Sequence, residues 1–312
     1  MGTDRRGERP GQRGGVVGDP DGDRPGRAFR AVALLQPLRG PGRSSMNTLS
    51  APGRAGSRLF NAYIVGICLL LVFPLAVVAL ISFDTSSHIG FPPKGLHLEW
   101  YRSLPDNANF LLSFKNSLIV ALASTAIAVL VAVPAAILVT RFRFRGRGVL
   151  YAMLMSSLTV PWIVYGVALL LLWTHLGLRL GLDTLIFGHA VIGAPYVLRT
   201  SVAVLADMPM SYERGARSLG AGPLRTFFTI TLPLMMPGLK AGAAFAFIVS
   251  FVNIPVSLFV TTADNITVPV AVFNYMQYNF DPGVAAFSMV QLIIIALFIG
   301  FAVRAAKSGA LA

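Results

Sequence analysis

The amino-acid sequence predicts an all-α membrane protein with six transmembrane helices. Hydrophobic residues make up 55% of the 312 residues and charged residues only 12%, which is too apolar for an ordinary soluble domain. The apolar residues are concentrated in six runs, each near the ~20 residues that cross a bilayer as a helix. The formal charge of +13 lies mostly in the N-terminal arm and beside these runs. This distribution favours membrane topology over nucleic-acid binding.

The six runs define a transmembrane domain over residues 59–306, followed by a short tail at 307–312. We place the spans at 59–83, 112–140, 149–173, 182–205, 238–262 and 283–304. Residues 1–58 are rich in Arg, Gly and Pro and are expected to be disordered. Met46 lies shortly before the first run and is an alternative translation start, which we weigh equally with the first residue.

Basic residues alternate along the connections between the runs. They crowd the N-terminal arm, the loop after the second run and the loop after the fourth run, where they include Arg141, Arg143, Arg145, Arg147, Arg214, Arg217 and Arg225. The connection at 263–282 has no Lys or Arg. Because a basic excess marks the cytoplasmic side, both termini and the 206–237 loop are predicted to be cytoplasmic.

The 206–237 loop carries two short helical patterns where a membrane protein needs only a connection. Ser211 can cap the first helix and Gly220 can end it. The predicted apolar face of this helix consists of three residues at helical spacing, Tyr212, Ala216 and Leu219. Pro223 opens the second helix. Pro233 and Pro237 are expected to break it before the fifth run.

This loop resembles the cytoplasmic signature loop of ABC importer permeases. The family has an E-A-A triplet, three residues, a Gly, nine residues and I-x-L-P, and the matching positions here are Gly220, Ile230, Leu232 and Pro233. Arg214 and Gly215 replace the Glu and the first Ala, Ala216 is retained, and Glu213 lies one residue too early. The resemblance implies that the helix that Gly220 ends couples the permease to an ATPase.

The resemblance implies a type I ABC importer permease fold in the bacterial inner membrane. The implied partners are a cytoplasmic ABC ATPase dimer, a second permease that is homologous or identical, an extracytoplasmic solute-binding protein and the lipid bilayer, with no nucleic acid. No catalytic residue, cofactor or metal site is expected. The sequence has no G-x-x-x-x-G-K-[ST] phosphate loop, so the chain itself is not expected to hydrolyse ATP.

Within this family the chain is most similar to polyamine (spermidine/putrescine) permeases. The similarity is carried by the Phe91–Pro92–Pro93 turn, the Trp100–Tyr101 pair and Asn116–Ser117–Leu118. Two acids of the polyamine pattern are replaced by Val252 and Asn253, so permeases for an iron complex, thiamine, an opine-like solute or an anion stay open. An ion-gradient-driven secondary transporter is the rival class, but no acidic residue lies in a span interior.

Five residues are candidates for the solute path. Ser250, Asn253 and Ser257 form the strongest polar group at membrane depth, although ordinary hydrogen bonds between helices explain them slightly better. Trp162 and Tyr165 can stack on a solute, although aromatic residues are more often core or interface residues.

Two further interpretations concern single residue types. The four histidines lack metal-ligand spacing and are expected to be isolated interfacial or core residues: His88, His97, His175 and His189. The pairs Gly177–Gly181 and Gly238–Gly242 have the spacing of helix contacts, but both lie at span edges, where turns and caps are expected.

Overall fold

The computed structural model describes residues 54–279 and 281–308. Residues 1–53 of the predicted arm, which include Met46, lie outside the described residues. Residues 309–312 of the tail also lie outside them. Positions 54–58 correct the arm's boundary, because they already belong to the first helix.

The described residues are almost entirely helical. Their α-helices are α1 (Arg54–Ile81), α2 (Glu99–Ser103), α3 (Ala108–Arg141), α4 (Arg147–Met155), α5 (Trp162–His175), α6 (Leu182–Asp207), α7 (Ser211–Ser218), α8 (Pro223–Thr226), α9 (Leu232–Phe251), α10 (Ser257–Val260), α11 (Val268–Tyr278) and α12 (Gly283–Ser308). Contacts divide the chain within α1, between residues 65 and 66. Residues 54–65 are helical. The second unit starts at residue 66 and contains the other helices.

Five continuous helices are long and apolar enough to cross a membrane, and they confirm five of the six predicted spans as helical. The third predicted span, 149–173, is not one helix. It consists of α4, a 3₁₀ turn at Ser156–Leu158 and α5, with a bend of 100° between the two halves. Pro161 lies at the bend, where its missing N–H would interrupt a continuous helix. The described part of the chain therefore holds five spans, or six if this bent pair crosses the membrane as one.

The fifth predicted span, 238–262, is shifted towards the N-terminus. Its helix starts at Pro223, passes through a π-helical turn at Phe227–Thr231 and ends at Phe251. The expected breaks at Pro233 and Pro237 are wrong. The Leu232 N–H bonds to Phe227 O, five residues back, and this wider turn lets the helix continue past Pro233.

Helices α3, α6 and α9 form the densest packing of the unit that starts at residue 66. Alanines of α3 face Val197 and Leu205 of α6 and Met235 of α9 in a shared apolar core. Gly238 and Gly242 of α9 lie against the backbone of α6, where an added Cβ would fall 2.6 Å from Thr200 O and from Val197 Cα, respectively. The expected turn or cap role of this glycine pair is therefore wrong. Both residues allow close helix contact.

Candidate functional site

The signature loop forms a short helix that ends at a glycine. Helix α7 begins after Met210 without a side-chain cap, so the predicted cap at Ser211 is wrong. Its C-terminal end agrees with the sequence. Gly220 has φ +84°, its N–H donates to Arg217 O at 3.0 Å, and Ala221 N–H donates to Ala216 O at 3.0 Å. This pair of bonds closes the helix with a left-handed glycine and turns the chain towards Pro223.

Helix α7 has two different faces. Tyr212 and Leu219 lie on one face and are exposed, with Leu219 at 90% of its full accessibility. Ala216 lies between them and is half-buried. The opposite face carries Met210, Glu213, Arg214 and Arg217 at helical spacing, and these residues line a cavity against the end of α3.

Glu213 anchors this opposite face. It is 8% exposed, and its Oε1 atom lies 3.0 Å from Arg141 Nε and accepts a 3.0 Å hydrogen bond from Thr231 Oγ1. Arg141 also donates from a terminal guanidinium nitrogen to Met208 O at 3.3 Å. The carboxylate thus joins α7 to the last residue of α3 and to the π-helical turn that precedes α9. Charge-assisted bonds of this kind are among the stronger polar contacts in proteins.

The remaining motif residues lie on the second half of the loop and around α7. Ile230 is half-buried within the π-helical turn, Leu232 packs against the core of α3, α6 and α9, and Pro233 is exposed in the first turn of α9. Arg214 and Gly215 are exposed on α7. The sequence did not identify Arg141 or Thr231 as members of this site. Arg141 lies 72 residues before Glu213, and only its place as the last residue of an apolar run could have drawn attention to it.

The second candidate site is a buried polar network at the break between α9 and α10. His189 of α6 contacts Ser250 Oγ through Nδ1 at 2.7 Å and Ser257 Oγ through Nε2 at 2.9 Å. Ser124 of α3 donates to Ser250 Oγ at 3.1 Å, and Ser257 donates to Asn253 O at 3.0 Å. The donors and acceptors of these four bonds are all matched when the imidazole is neutral and carries its proton on Nε2. His189 is therefore not an isolated histidine, and the network includes Ser250 and Ser257 as the sequence grouped them.

The other candidate path residues lie near this network. The Asn253 side chain accepts a hydrogen bond from Val256 N at 2.9 Å and so stabilises the irregular turn between the helices. Tyr165 donates to Gly188 O at 3.4 Å, next to His189 along α6. Trp162 and Tyr165 are half-buried against an apolar cluster of α5, α6 and α10. The structure places them beside the network, and among the described residues neither side chain hydrogen-bonds to His189 or to the serines.

Comparison with known proteins identifies the family. The profile of the binding-protein-dependent transport system inner membrane component matches residues 128–307. The chain is 30% identical over 239 residues to the spermidine/putrescine transport system permease protein PotC of Escherichia coli (strain K12), covering 77% of this chain and 90% of PotC. It is also 30% identical over 229 residues to the putrescine transport system permease protein PotI of the same organism, covering 71% of this chain and 81% of PotI.

Solved structures show the same fold at lower sequence identity. A chain of a bacterial ABC transporter involved in the import of the acidic polysaccharide alginate superposes with a TM-score of 0.61 and 17% identity, over 80% of this chain and 95% of that chain. A chain of the MetNI methionine ABC transporter superposes with a TM-score of 0.55 and 17% identity, over 69% and 99%. This chain therefore belongs to the family of inner membrane components of binding-protein-dependent transport systems, as a membrane-spanning permease of an ABC importer.

Proposed function

We propose that this chain pairs with a second permease, homologous or identical, to line the path of a small solute, and that α7 couples this path to an ATPase dimer. The observation that carries the proposal is the division of α7 into an exposed apolar face and an anchored polar face. A partner is needed to cover the first face. The second face transmits the movement of that partner to the membrane helices.

The second half of the loop also carries exposed apolar side chains. Leu224 and Phe228 are 74% and 61% exposed and add to Tyr212 and Leu219. Large apolar side chains grouped in one loop favour a protein partner over solvent. We assign this surface to the ATPase subunit, and Gly220 lets the chain turn between its two halves.

The polar face supplies the connection to the membrane domain. Because Glu213 binds Arg141 of α3 and Thr231 before α9, a displacement of α7 acts on two packed helices at once. ATP-driven closure of the ATPase pair would then bias the bundle between two arrangements, with the loaded solute-binding protein acting from the other side.

The solute is the finer part of the proposal. The names of PotC and PotI make a polyamine the first candidate. A second candidate, an uncharged or anionic solute, is favoured by the neutral network around His189 and by the lack of Asp or Glu in the interior of the described apolar helices. We propose that Ser250, Asn253 and Ser257 meet the solute when the break between α9 and α10 opens, with Trp162 and Tyr165 beside it.

Uptake by the complete transporter tests both parts. Cells that express this chain with its genomic neighbours would be given labelled putrescine and spermidine, and an ATPase-inactive complex is the control. ATP-dependent polyamine uptake supports the first candidate. Uptake of another solute with the same ATP dependence keeps the importer and changes its cargo. Uptake driven by an ion gradient without ATP would contradict the importer.

Orientation is tested by single cysteines in a chain with Cys68 replaced by Ser. We propose that both termini and α7 are cytoplasmic because basic residues are concentrated in their connections. A membrane-impermeant reagent added outside should label cysteines at Asn107 or Asp264 and spare those at Arg145 or Arg217. Labelling at Arg217 from outside would contradict the orientation.

A further inference from the structure

A cavity of about 440 Å³ lies between α7 and the end of α3. It is lined by Ile137, Arg141, Phe142, Met210, Glu213, Arg214, Arg217, Pro223, Thr226, Phe227 and Thr231. The cavity is distinct from the surface that we assign to the ATPase. Met210, Glu213, Arg214 and Arg217 face it, whereas Tyr212 and Leu219 lie on the other side of the helix.

The cavity has an excess of positive charge. The Glu213 carboxylate is neutralised by Arg141 at 3.0 Å. Arg214 and Arg217 are exposed, and among the residues that the structure describes neither has a carboxylate within 4.0 Å. Two arginines therefore line the same cavity, and the described residues supply no counter-ion to either. Arginine pairs of this kind bind phosphate oxygens well because each guanidinium presents several donors in a plane.

The cavity also has an apolar wall, which includes the end of a membrane helix. Ile137 lies one turn before Arg141, which is the last residue of the apolar helix α3, and Phe142 and Phe227 complete this wall. The cavity thus lies where the apolar helix α3 ends and the basic loop residues begin. In the proposed orientation this boundary lies at the cytoplasmic surface of the bilayer, where anionic lipids bind basic pockets beside transmembrane helices.

We propose that this cavity binds the headgroup of an anionic phospholipid. Arg214 and Arg217 bind the phosphate, and the wall formed by Ile137, Phe142 and Phe227 contacts the first part of the acyl chains. An acidic segment of the ATPase fits less well, because the cavity is lined by the face of α7 opposite to the one that we assign to the ATPase. The inference rests on the proposed orientation, and it assigns a lipid contact to the site that couples the two subunits.

Native mass spectrometry of the purified full-length chain can measure this binding. The probes are phosphatidylglycerol, phosphatidylcholine of the same chain length and inorganic phosphate. The test variant is the double substitution Arg214→Gln with Arg217→Gln. Its matched control is Arg143→Gln with Arg145→Gln, which removes the same charge from the neighbouring loop outside the cavity lining. Thermal unfolding of each variant confirms that the chain is folded.

We expect the wild-type chain to retain phosphatidylglycerol in preference to phosphatidylcholine. The cavity variant should lose about 25-fold in affinity for the anionic lipid, since each basic residue near an anionic surface contributes about fivefold. The control variant should keep most of its affinity. Binding of inorganic phosphate with equal preference would identify an anion site without lipid and overturn the proposal. Equal losses in both variants would also overturn it, since binding would then follow total charge.

Two further results separate this inference from the proposed function. If the cavity variant keeps its lipid but releases the ATPase, the two arginines serve the protein partner and the lipid proposal is wrong. If the complete transporter shows no ATP-dependent uptake but the preference for anionic lipid still depends on Arg214 and Arg217, the proposed importer function is contradicted and the proposed lipid site is supported.

Discussion

Glu213 and Arg141 form an ion pair whose side chains are about one-tenth exposed, at 10% and 9%. Their atoms Oε1 and Nε are 3.0 Å apart although 72 residues separate them in the chain. Little water reaches either group, so each charge depends on the other for most of its stabilisation.

Replacing Glu213 by Ala should destabilise the protein by about 3 kcal/mol, because Arg141 is left as a charge with little solvent and no counter-ion. Thr231→Val removes one hydrogen bond to the same carboxylate and should cost about 1 kcal/mol. The measurement is the thermal midpoint of the purified chain in detergent. The exposed Arg225→Ala is the control, and a Glu213→Ala chain as stable as this control would contradict the prediction.

Gly220 provides a test of the surface assigned to the ATPase. Its φ is +84°, and an added Cβ would meet nothing within 4 Å. A side chain there costs about 1 kcal/mol of backbone strain and causes no clash within the chain. Gly220→Asp should therefore leave the chain folded and release or uncouple the ATPase. If Gly220 only stops the helix, Gly220→Asn, which adopts this conformation more readily, should work nearly as well as glycine.

Gly146 is the matched control for Gly220. It also has a positive φ, +94°, and open space around its Cβ position, but it lies in the loop between α3 and α4. ATPase retention and stimulated hydrolysis are measured after purification of the complex. If Gly146→Asp and Gly220→Asp give equal losses, the effect belongs to the glycine conformation and not to a docking surface.

Gly242→Ala should weaken the contact between α9 and α6. The new methyl group would fall 2.6 Å from Val197 Cα, a backbone atom that cannot move without displacing α6. We expect a loss of about 1–3 kcal/mol, as for other overpacked cores. Gly66→Ala in the apolar helix α1 has no atom within 4 Å and should leave the thermal midpoint unchanged or slightly raised. Equal midpoints for the two variants would show that α6 and α9 can separate freely.

Tyr275 should make stability depend on alkaline pH. Burial, together with its 2.9 Å hydrogen bond to Asp281, raises the pKa of Tyr275 to about 12. An unfolded chain ionises this tyrosine near pH 10. Its contribution is therefore complete below pH 10 and is lost as the pH rises to about 12. In an absorbance titration, Tyr275→Phe should remove one late-titrating tyrosine, whereas the exposed control Tyr278→Phe should leave the late part of the titration unchanged.

The sequence predicted those parts of the fold that depend on composition and local chemistry. Five spans are continuous helices because long apolar runs leave the backbone no other way to satisfy its hydrogen bonds in lipid. The glycine stop at Gly220 was predictable because a left-handed residue without a side chain is a local requirement. The third span was predicted as one continuous run because its apolar content continues across Pro161, where the structure bends by 100°.

The two candidate sites were only partly predictable because their contacts join distant parts of the chain. Ser250 and Ser257 are seven residues apart and both contact His189, but His189 lies 61 residues before Ser250, and no local pattern connects them. Similarly, Glu213 was noted as one residue out of place in the motif. Its position is explained by Arg141 and Thr231, which it reaches from the inner face of α7.

The π-helical turn at Phe227–Thr231 has a consequence for how this chain tolerates insertions and deletions. A turn of this type holds one more residue than the α-helix around it. The extra residue is absorbed within the turn, so the helix that follows keeps the orientation it would have after an α-helical turn with one residue fewer. Deleting a single residue there would restore regular α-helix and leave Gly238 and Gly242 facing α6. Converting the turn to α-helix without a deletion would instead rotate the rest of α9 by about 100° and turn both glycines away from α6. Loss of one residue is therefore tolerated better inside this turn than elsewhere in the helix that carries the two glycines.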